Sequence, residues 1–241
     1  MKLASKFILL LVGLLLFFVL NLLLGTVKIP VDAILCILFG DESQQEIWRN
    51  IILSSRVPQA LTATVAGAGL AVSGLQMQTV FRNPLAGPSV LGISNGASLG
   101  VAFVVLMSGS LGGVALSRLG YLGDAAMSVA AIVGALAVMA LILYVAQKVK
   151  GSVTLLIIGV MIGYLATAII GVLKFFSAEE DVKAYVVWGL GSFARVSGDQ
   201  MMLFVLLMTG LLPLSMLLSK TMNLLLLGDY YASNLGLDLR R

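Results

Sequence analysis

Side chains capable of covalent or acid–base chemistry are scarce in this sequence. It contains no histidine, and Cys36 is its only cysteine. A histidine general base, a histidine or thiolate zinc site and an intrachain disulfide are therefore excluded. Ser192 lies in a glycine-rich setting that could present a nucleophile, but no histidine is available to activate it. An intramembrane hydrolase is accordingly the weakest functional hypothesis, and we predict neither a catalytic residue nor a metal ligand.

Motifs that would bind a nucleotide or a nucleic acid are also missing. The phosphate-binding pattern GxxxxGK[ST] does not occur, so we do not expect this chain to bind ATP or any other cofactor. The 15 lysine and arginine residues leave a net charge of only +4 and are scattered rather than arranged in a basic stripe. A nucleic-acid partner is therefore not expected.

The composition instead indicates that a lipid bilayer surrounds much of the chain. Hydrophobic residues make up 60% of the 241 residues and charged residues 11%, whereas soluble domains carry about 25% charged residues. Six charge-free stretches approach the roughly 20 apolar residues that a spanning helix needs. We predict an all-α membrane helix bundle, a single domain over residues 1–241. Its expected spans are 7–24, 57–80, 90–107, 125–147, 152–173 and 201–219.

The charges between the spans predict a cytoplasmic N-terminus. In this orientation the cytoplasmic loops carry a net charge of +6 and the opposite loops −2. Lysine and arginine alone are nearly balanced, but the turns at Arg82 and Lys148 are short, where the positive-inside bias is most reliable. Lys2 and Lys6 before the first apolar stretch also resemble the start of a signal peptide. The length of that stretch and the lack of a small-residue cleavage site favour an uncleaved helix.

Small residues recur at the four-residue spacing that lets membrane helices approach closely. This spacing predicts a tightly packed bundle, although it is common to many membrane proteins. The sets are Gly92, Gly96 and Gly100; Gly159 and Gly163; and Ala63, Gly67 and Ala71.

Two segments between the spans are predicted to have structure of their own. Prolines and glycines in residues 82–98 prevent a continuous helix and indicate a re-entrant-like loop. Residues 175–200 are too long for a simple turn, and their apolar, aromatic middle predicts a short interfacial helix ending near Gly189 and Gly191. The second span also contains threonine and glutamine side chains, which either bond to neighbouring helices or line a wet path.

Taken together, these segments resemble a known family. The run from Arg56 through RNPLAGPSVLGISNGASLG is similar to the signature of the FecCD-like permeases, membrane subunits of ATP-binding-cassette importers for iron-siderophores, haem and cobalamin. The resemblance continues through KGSVTLLIIGVMIG and AYVVWGLGSFARVSGDQ and ends in LLLLGDYYASNLGLDLRR, in the family's order. It covers residues 56–241.

The resemblance implies a location and a set of partners. It implies the bacterial inner membrane, a homodimer with a second permease copy, two cytoplasmic ATPase subunits that bind ATP and Mg²⁺, and a periplasmic substrate-binding protein. Members of the family have ten transmembrane helices. With six predicted spans, this chain looks like a permease truncated in the loop before the seventh helix.

The resemblance also implies roles for particular residues. Arg56 matches the arginine that meets a carboxylate of the binding protein, and an anchor at the helix end is the alternative role. The family often has a second arginine where this chain has Gln59. The positions that match the translocation path and its cytoplasmic gate are Asn83, Leu85, Ser152, Trp188, Gly189, Gly191 and Ser192.

Residues 228–241 match part of the cytoplasmic coupling loop. We expect a short helix there, with Asp229 near its start and Gly236 at its end. Docked on the ATPase, this helix would convert nucleotide-driven closure into rocking of the permease. The residues assigned to the contact are Gly228, Asp229, Tyr230, Ala232, Leu235 and Gly236.

ATP-driven import of an iron chelate, haem or cobalamin is therefore the leading hypothesis. A secondary carrier or channel is one alternative, but the predicted spans lack the charged residue that ion-coupled carriers commonly use. A nonfunctional or regulatory truncated permease is another.

Overall fold

The structure is a computed structural model that describes residues 3–40, 45–110, 121–149, 151–193, 196 and 198–237. The description does not include the side chains of residues 108–110, 121, 152, 199 and 229. Every regular element within these ranges is helical, which confirms the predicted all-α fold class.

The described part of the chain contains eleven α-helices and one π-helical turn. A π-helical turn, Ile52–Arg56, joins α3 to α4, so residues Glu46–Phe81 form one helical segment of 36 residues. The α-helices are α1 (Leu3–Leu23), α2 (Val31–Leu38), α3 (Glu46–Ile51), α4 (Val57–Phe81), α5 (Ile93–Ser110), α6 (Tyr121–Ala146), α7 (Ser152–Phe176), α8 (Glu179–Gly189), α9 (Gly198–Met216), α10 (Ser219–Leu226) and α11 (Asp229–Asn234).

Fewer helices reach spanning length than the six predicted stretches. Within the described ranges, four helical segments are long and apolar enough to cross a membrane, or five if the broken pair α9 and α10 is one span. The predicted span 90–107 is the exception, because residues 90–92 form turns and α5 begins only at Ile93, with its side chains described over Ile93–Met107. The second predicted span is longer than expected, since its helix continues back through Arg56 to Glu46.

The chain divides into two compact units. The first comprises Met1–Val72 and Ser192–Leu218. Its buried cluster is formed by apolar residues of α2, the loop before it and the π-helical turn, with Leu23 of α1 packed against them. In the same unit α4 and α9 approach each other, since a Cβ at Gly69 would overlap the side chain of Met208.

The second unit comprises Ser73–Gly191 and Ser219–Arg241, and α5 lies at its centre. Along α5, Gly96 and Gly100 face Gly134 and Ala130 of α6. A Cβ at Gly96 would lie 2.7 Å from the Gly134 carbonyl oxygen, and a Cβ at Gly100 would overlap the carbonyl oxygen of Ala130. Glycine is therefore needed here for two helix backbones to come together, as the spacing predicted.

Gly92 makes a second close backbone contact, with α7. Its φ of +74° is favourable only for glycine, and an added Cβ would lie 2.7 Å from the carbonyl oxygen of Gly159 and 3.1 Å from the amide of Gly163. The small residues Ala63, Gly67 and Ala71 on α4 make no such contact at their central position. Apart from the backbone of α4 itself, no heavy atom of the described residues lies within 4 Å of an added Cβ at Gly67.

The predicted short helix in residues 175–200 is present as α8, which packs against α5. Tyr185 is buried among Val101, Val105 and Ile170, and burial raises the pKa of its phenol while a hydrogen bond with Ser98 acts in the opposite direction. The Ser177 hydroxyl before α8 lies 2.6 Å from the carbonyl oxygen of Leu173 and 3.1 Å from that of Leu106 on α5. The burial of Tyr185 therefore holds α8 against α5 within the second unit.

Candidate functional site

The candidate gate begins where α4 ends. The amide of Arg82 donates to the carbonyl of Thr79 at 3.2 Å, and the amide of Asn83 donates to that of Gln78 at 3.1 Å. This pair of bonds is the Schellman motif, in which the first residue beyond the helix adopts the left-handed conformation. Arg82 has that conformation, with a φ of +47°. The chain thereby turns away from the helix axis directly before Pro84.

Residues 82–92, the proline loop, then form consecutive turns. The amide of Ala86 donates to the carbonyl of Asn83, and that of Val90 to Gly87, both at 3.0 Å. The side-chain oxygen of Asn83 accepts a further bond from the amide of Leu85, at 2.9 Å. Proline and these internal bonds explain why the loop is ordered without being helical.

Two buried side chains hold the proline loop against α6 and α7 of the second unit. Ala86 and Leu91 lie in one apolar cluster with Val138 and Ile142 of α6 and Leu156 of α7. In contrast, Leu85 is 82% exposed. Ala86 and Leu91 therefore hold the loop in place while Leu85 points outward.

The proline loop and the first half of α7 line an open cavity of about 410 Å³. Two predicted gate residues, Asn83 and Leu85, share its wall with Val153, which follows Ser152 in the first turn of α7. The backbone of Ser152 thus lies at the same site, whereas its side chain is outside the description. The structure brings these three predicted positions together, and their function in a gate stays a prediction.

The predicted short helix in the C-terminal segment is also present. Gly228, with a φ of +97°, precedes α11, and Gly236, with a φ of +89°, follows it. Ala232 is fully buried, whereas Tyr230 is 76% exposed and Leu235 61%. The helix is therefore held through one face and presents the other outward. Residues 238–241 of the predicted loop lie outside the description.

The proline loop and this segment are connected through Arg82. Its Nη2 donates to the carbonyl of Leu225 near the end of α10, at 3.4 Å. From the sequence, Arg82 is recognisable only as a charge in a short turn. The available signal was its position directly after a long apolar helix, where glycine is the usual residue.

Arg56 lies in the first unit and is almost completely buried, at 5% exposure. Its Nη1 donates to the carbonyl of Leu22 at 2.6 Å, and its Nη2 donates to that of Val27. An added Cβ at Gly25 would lie 2.5 Å from Nη2, so the loop after α1 closes directly over the guanidinium. Arg56 therefore satisfies carbonyls at and beyond the C-terminal end of α1, which the helix itself cannot pair.

The other predicted path residues lie at the end of α8. Trp188 is half-buried with its ring centroid 6.3 Å from that of Tyr185, and Gly189 ends the helix. Gly191, with a φ of +67°, is exposed. Ser192 is likewise exposed and belongs to the first unit, so it is described separately.

The family of the chain follows from comparison with known proteins. The model of the FecCD transport family matches residues 13–241. The chain belongs to this family. The matched range includes Arg56, the proline loop, α7 and α11, so each of the sites described above lies within the FecCD region.

Two curated relatives and one solved structure illustrate the similarity. The hemin transport system permease protein HmuU of Yersinia pestis is 34% identical over 202 residues, which are 83% of this chain and 57% of HmuU. The vitamin B12 import system permease protein BtuC of Serratia proteamaculans is 34% identical over 201 residues, 83% of this chain and 55% of BtuC. A metal-chelate type ABC transporter, solved in an inward-facing conformation, is 26% identical with a TM-score of 0.74, covering 96% of this chain and 68% of that one. The chain thus spans slightly more than half of the two curated relatives.

Proposed function

We propose that this FecCD chain provides the membrane-spanning permease of an ATP-driven importer in the bacterial inner membrane. The observation that carries the proposal is the family match over residues 13–241, which includes both the proline loop and α11. An importer of this type needs a gate and a contact for its ATPase. The proline loop with the first turn of α7 is our candidate for the gate, and α11 is our candidate for the contact.

We propose haem, cobalamin or an iron chelate as the substrate. The two relatives described above are named for hemin and vitamin B12 transport, and the solved relative for a metal chelate. The residues around the cavity beneath the proline loop are neutral and mostly apolar. A bare metal ion would need oxygen, nitrogen or sulfur ligands along its path, whereas a metal enclosed in an organic chelate does not. The neutral lining therefore supports a chelated substrate.

The proposed assembly has two copies of this permease, two ATPases and a periplasmic binding protein. Support for the ATPase contact comes from the exposed side chains of Tyr230 and Leu235 on α11, since aromatic and apolar groups commonly anchor protein interfaces. ATP and Mg²⁺ would bind to the ATPase subunits. The cytoplasmic N-terminus is supported by the loop charges.

Arg56 remains our candidate for contact with the binding protein on the strength of the resemblance. Its buried guanidinium also supports a second role, which is to hold the end of α1. In that role Arg56 would position the outer surface without touching the partner itself.

Reconstitution tests the proposal directly. The permease, its ATPase and its binding protein are placed in proteoliposomes, and uptake of labelled hemin, cyanocobalamin and a ferric siderophore is measured with and without ATP. We expect uptake of one of these classes with ATP, and none with a hydrolysis-deficient ATPase variant. Equal uptake with and without ATP would contradict the proposal. Uptake driven by an imposed ion gradient would favour a secondary carrier.

A further inference from the structure

The identity of residue 82 is unusual for its backbone conformation. The same Schellman motif ends α11, where the amide of Gly236 donates to the carbonyl of Ser233 and that of Leu237 to Ala232, both at 3.0 Å. Glycine occupies the left-handed position there, as it usually does. At the end of α4 the equivalent position is Arg82, the one non-glycine residue with positive φ in the described part of the chain. A side chain with a Cβ is disfavoured in this conformation.

The guanidinium of Arg82 offers a reason for this substitution. It reaches the carbonyl of Leu225, which is 143 residues away in the sequence and near the end of α10. The same carbonyl accepts the amide of Gly228 at 3.1 Å. Gly228 in turn starts α11, because its carbonyl accepts the amide of Ala232 at 2.9 Å. One side chain thus bonds to the turn from which the candidate coupling helix departs.

Arg82 is also the first residue of the proline loop, our candidate for the gate. Asn83, whose side chain fixes the turn that presents Leu85, is the next residue. Phe81, the preceding residue, is buried with Ala86 and Leu91 in the cluster that holds the proline loop. A displacement of the α10–α11 turn would therefore pull on the chain at the first residue of the loop.

We propose that Arg82 is a positioning residue that couples the α10–α11 turn to the proline loop, so that movement of α11 on an ATPase changes the position of Leu85. This inference rests on the proposed function, because it assumes that α11 contacts an ATPase. In this role Arg82 would act through Leu85 and α11 and not by contact with the substrate or the nucleotide.

Replacement of Arg82 by glycine separates coupling from folding. Since glycine is the residue that the Schellman position favours, Arg82→Gly should leave the melting temperature unchanged or raise it by about 1–4 °C. In the reconstituted importer we expect the number of substrate molecules moved per ATP to fall by about fivefold or more, with ATP hydrolysis retained. Arg82→Asn, which tolerates the left-handed conformation but is too short to reach Leu225, should behave in the same way. Arg82→Lys should restore part of the coupling.

Lys148→Gly is the matched control, because Lys148 is also an exposed cation in a short turn, and its ammonium bonds to Tyr144, four residues earlier, at 2.6 Å. It should transport like the wild type. If Arg82→Gly moves as much substrate per ATP as the wild type, the coupling role is wrong.

Hydrogen exchange tests the link itself, without any partner. In the permease alone, in lipid nanodiscs, loss of the guanidinium should make the amides around Gly228 exchange about threefold faster or more, while Lys148→Gly leaves them unchanged. Unchanged exchange in Arg82→Gly would overturn the link. Absence of ATP-dependent uptake by the wild type would instead contradict the proposed function, and the exchange result would still decide whether Arg82 holds the α10–α11 turn.

Discussion

Arg56 illustrates how the surroundings of a single side chain narrow its role. In the sequence it is an arginine at the edge of an apolar stretch, which suits either a partner contact or a helix-end anchor. In the structure Arg56 is the last residue of the π-helical turn, and the amide of Val57 directly after it donates to the carbonyl of Ile52. The guanidinium of the buried Arg56 lies against the carbonyls after α1. Arginine suits this position better than lysine, because its planar guanidinium presents several donors in a fixed arrangement.

We expect Arg56→Met to destabilise the protein. Methionine keeps the apolar stem but leaves the carbonyls of Leu22 and Val27 without their donors, and bonds from a charged group contribute about 1.5–3 kcal/mol each. Because the bond to Val27 is only partly buried, we expect a total loss of about 2–4 kcal/mol in the free energy of unfolding. Thermal unfolding in detergent, followed by circular dichroism, measures the change.

The control for Arg56→Met is Lys28→Met, which removes an exposed cation from the same connection after α1. This change should alter stability by no more than about 0.5 kcal/mol. If Arg56→Met melts like the wild type yet binds the periplasmic protein more weakly, Arg56 acts at the docking surface and not as a clamp on α1.

The identity of such residues could be predicted from the sequence, but their partners could not. Arg56 and Asn83 stand out because a charged or amide group next to an apolar run must find a partner. Their bonding partners are backbone carbonyls and amides, which carry no signal in the residue types. For the same reason the contact from Arg82 to Leu225 could not be predicted, because a carbonyl acceptor can belong to any residue.

At the scale of elements, close backbone contacts between helices organise the second unit. Gly96 and Gly100 were recognisable because they repeat at a fixed spacing. Their counterpart on α6, Gly134, lies four residues after Ala130, but this mixed alanine–glycine pair stands out less within an alanine-rich run than the repeated glycines of α5 do. A Cβ at Gly134 would overlap the carbonyl oxygen of Gly96.

Gly134→Ala should therefore weaken the packing of α5 on α6. In an ordinary helix position this change is favourable, because alanine has the higher helix propensity. Here the backbones must separate to admit the methyl group, and we expect a loss of about 1–3 kcal/mol. Resistance to unfolding in increasing concentrations of SDS measures the effect.

Gly171→Ala on α7 is the matched control for Gly134→Ala. Apart from the backbone of α7 itself, no heavy atom of the described residues lies within 4 Å of an added Cβ at Gly171. This variant should be as stable as the wild type or slightly more stable. Equal effects of the two substitutions would show that α5 and α6 do not depend on this close approach.

Helix ends were less accessible to prediction than helix existence. The charge-free criterion placed the start of the second span at Val57, although the helical segment begins at Glu46. Burial of Arg56 against carbonyls explains the difference, since a satisfied charge does not end a helix. At the third span, Gly92 in the left-handed conformation delays the start of α5 to Ile93.

At the scale of the whole molecule, the sequence identified the membrane environment and the family more readily than the detailed path. The FecCD match covers residues 13–241, and composition alone indicates a membrane protein. The orientation, in contrast, depends on a small charge difference between loops. Lys148 precedes α7 and Lys183 follows it in α8, and both are exposed. Since α7 is long enough to span, these two lysines should lie on opposite sides of the membrane.

Cysteine labelling tests this orientation. Cys36 is replaced by serine, and a single cysteine is introduced at Lys148 or at Lys183, positions that lie outside the packed clusters. A membrane-impermeant maleimide added to intact cells with a permeable outer membrane should label Lys183→Cys at once, and Lys148→Cys only after the inner membrane is opened. The reverse pattern would mean that the positive-inside bias of these short turns is outweighed by other parts of the chain. Labelling of both from outside would instead show that α7 does not separate them, and the multi-pass arrangement on which the proposed importer depends would be wrong.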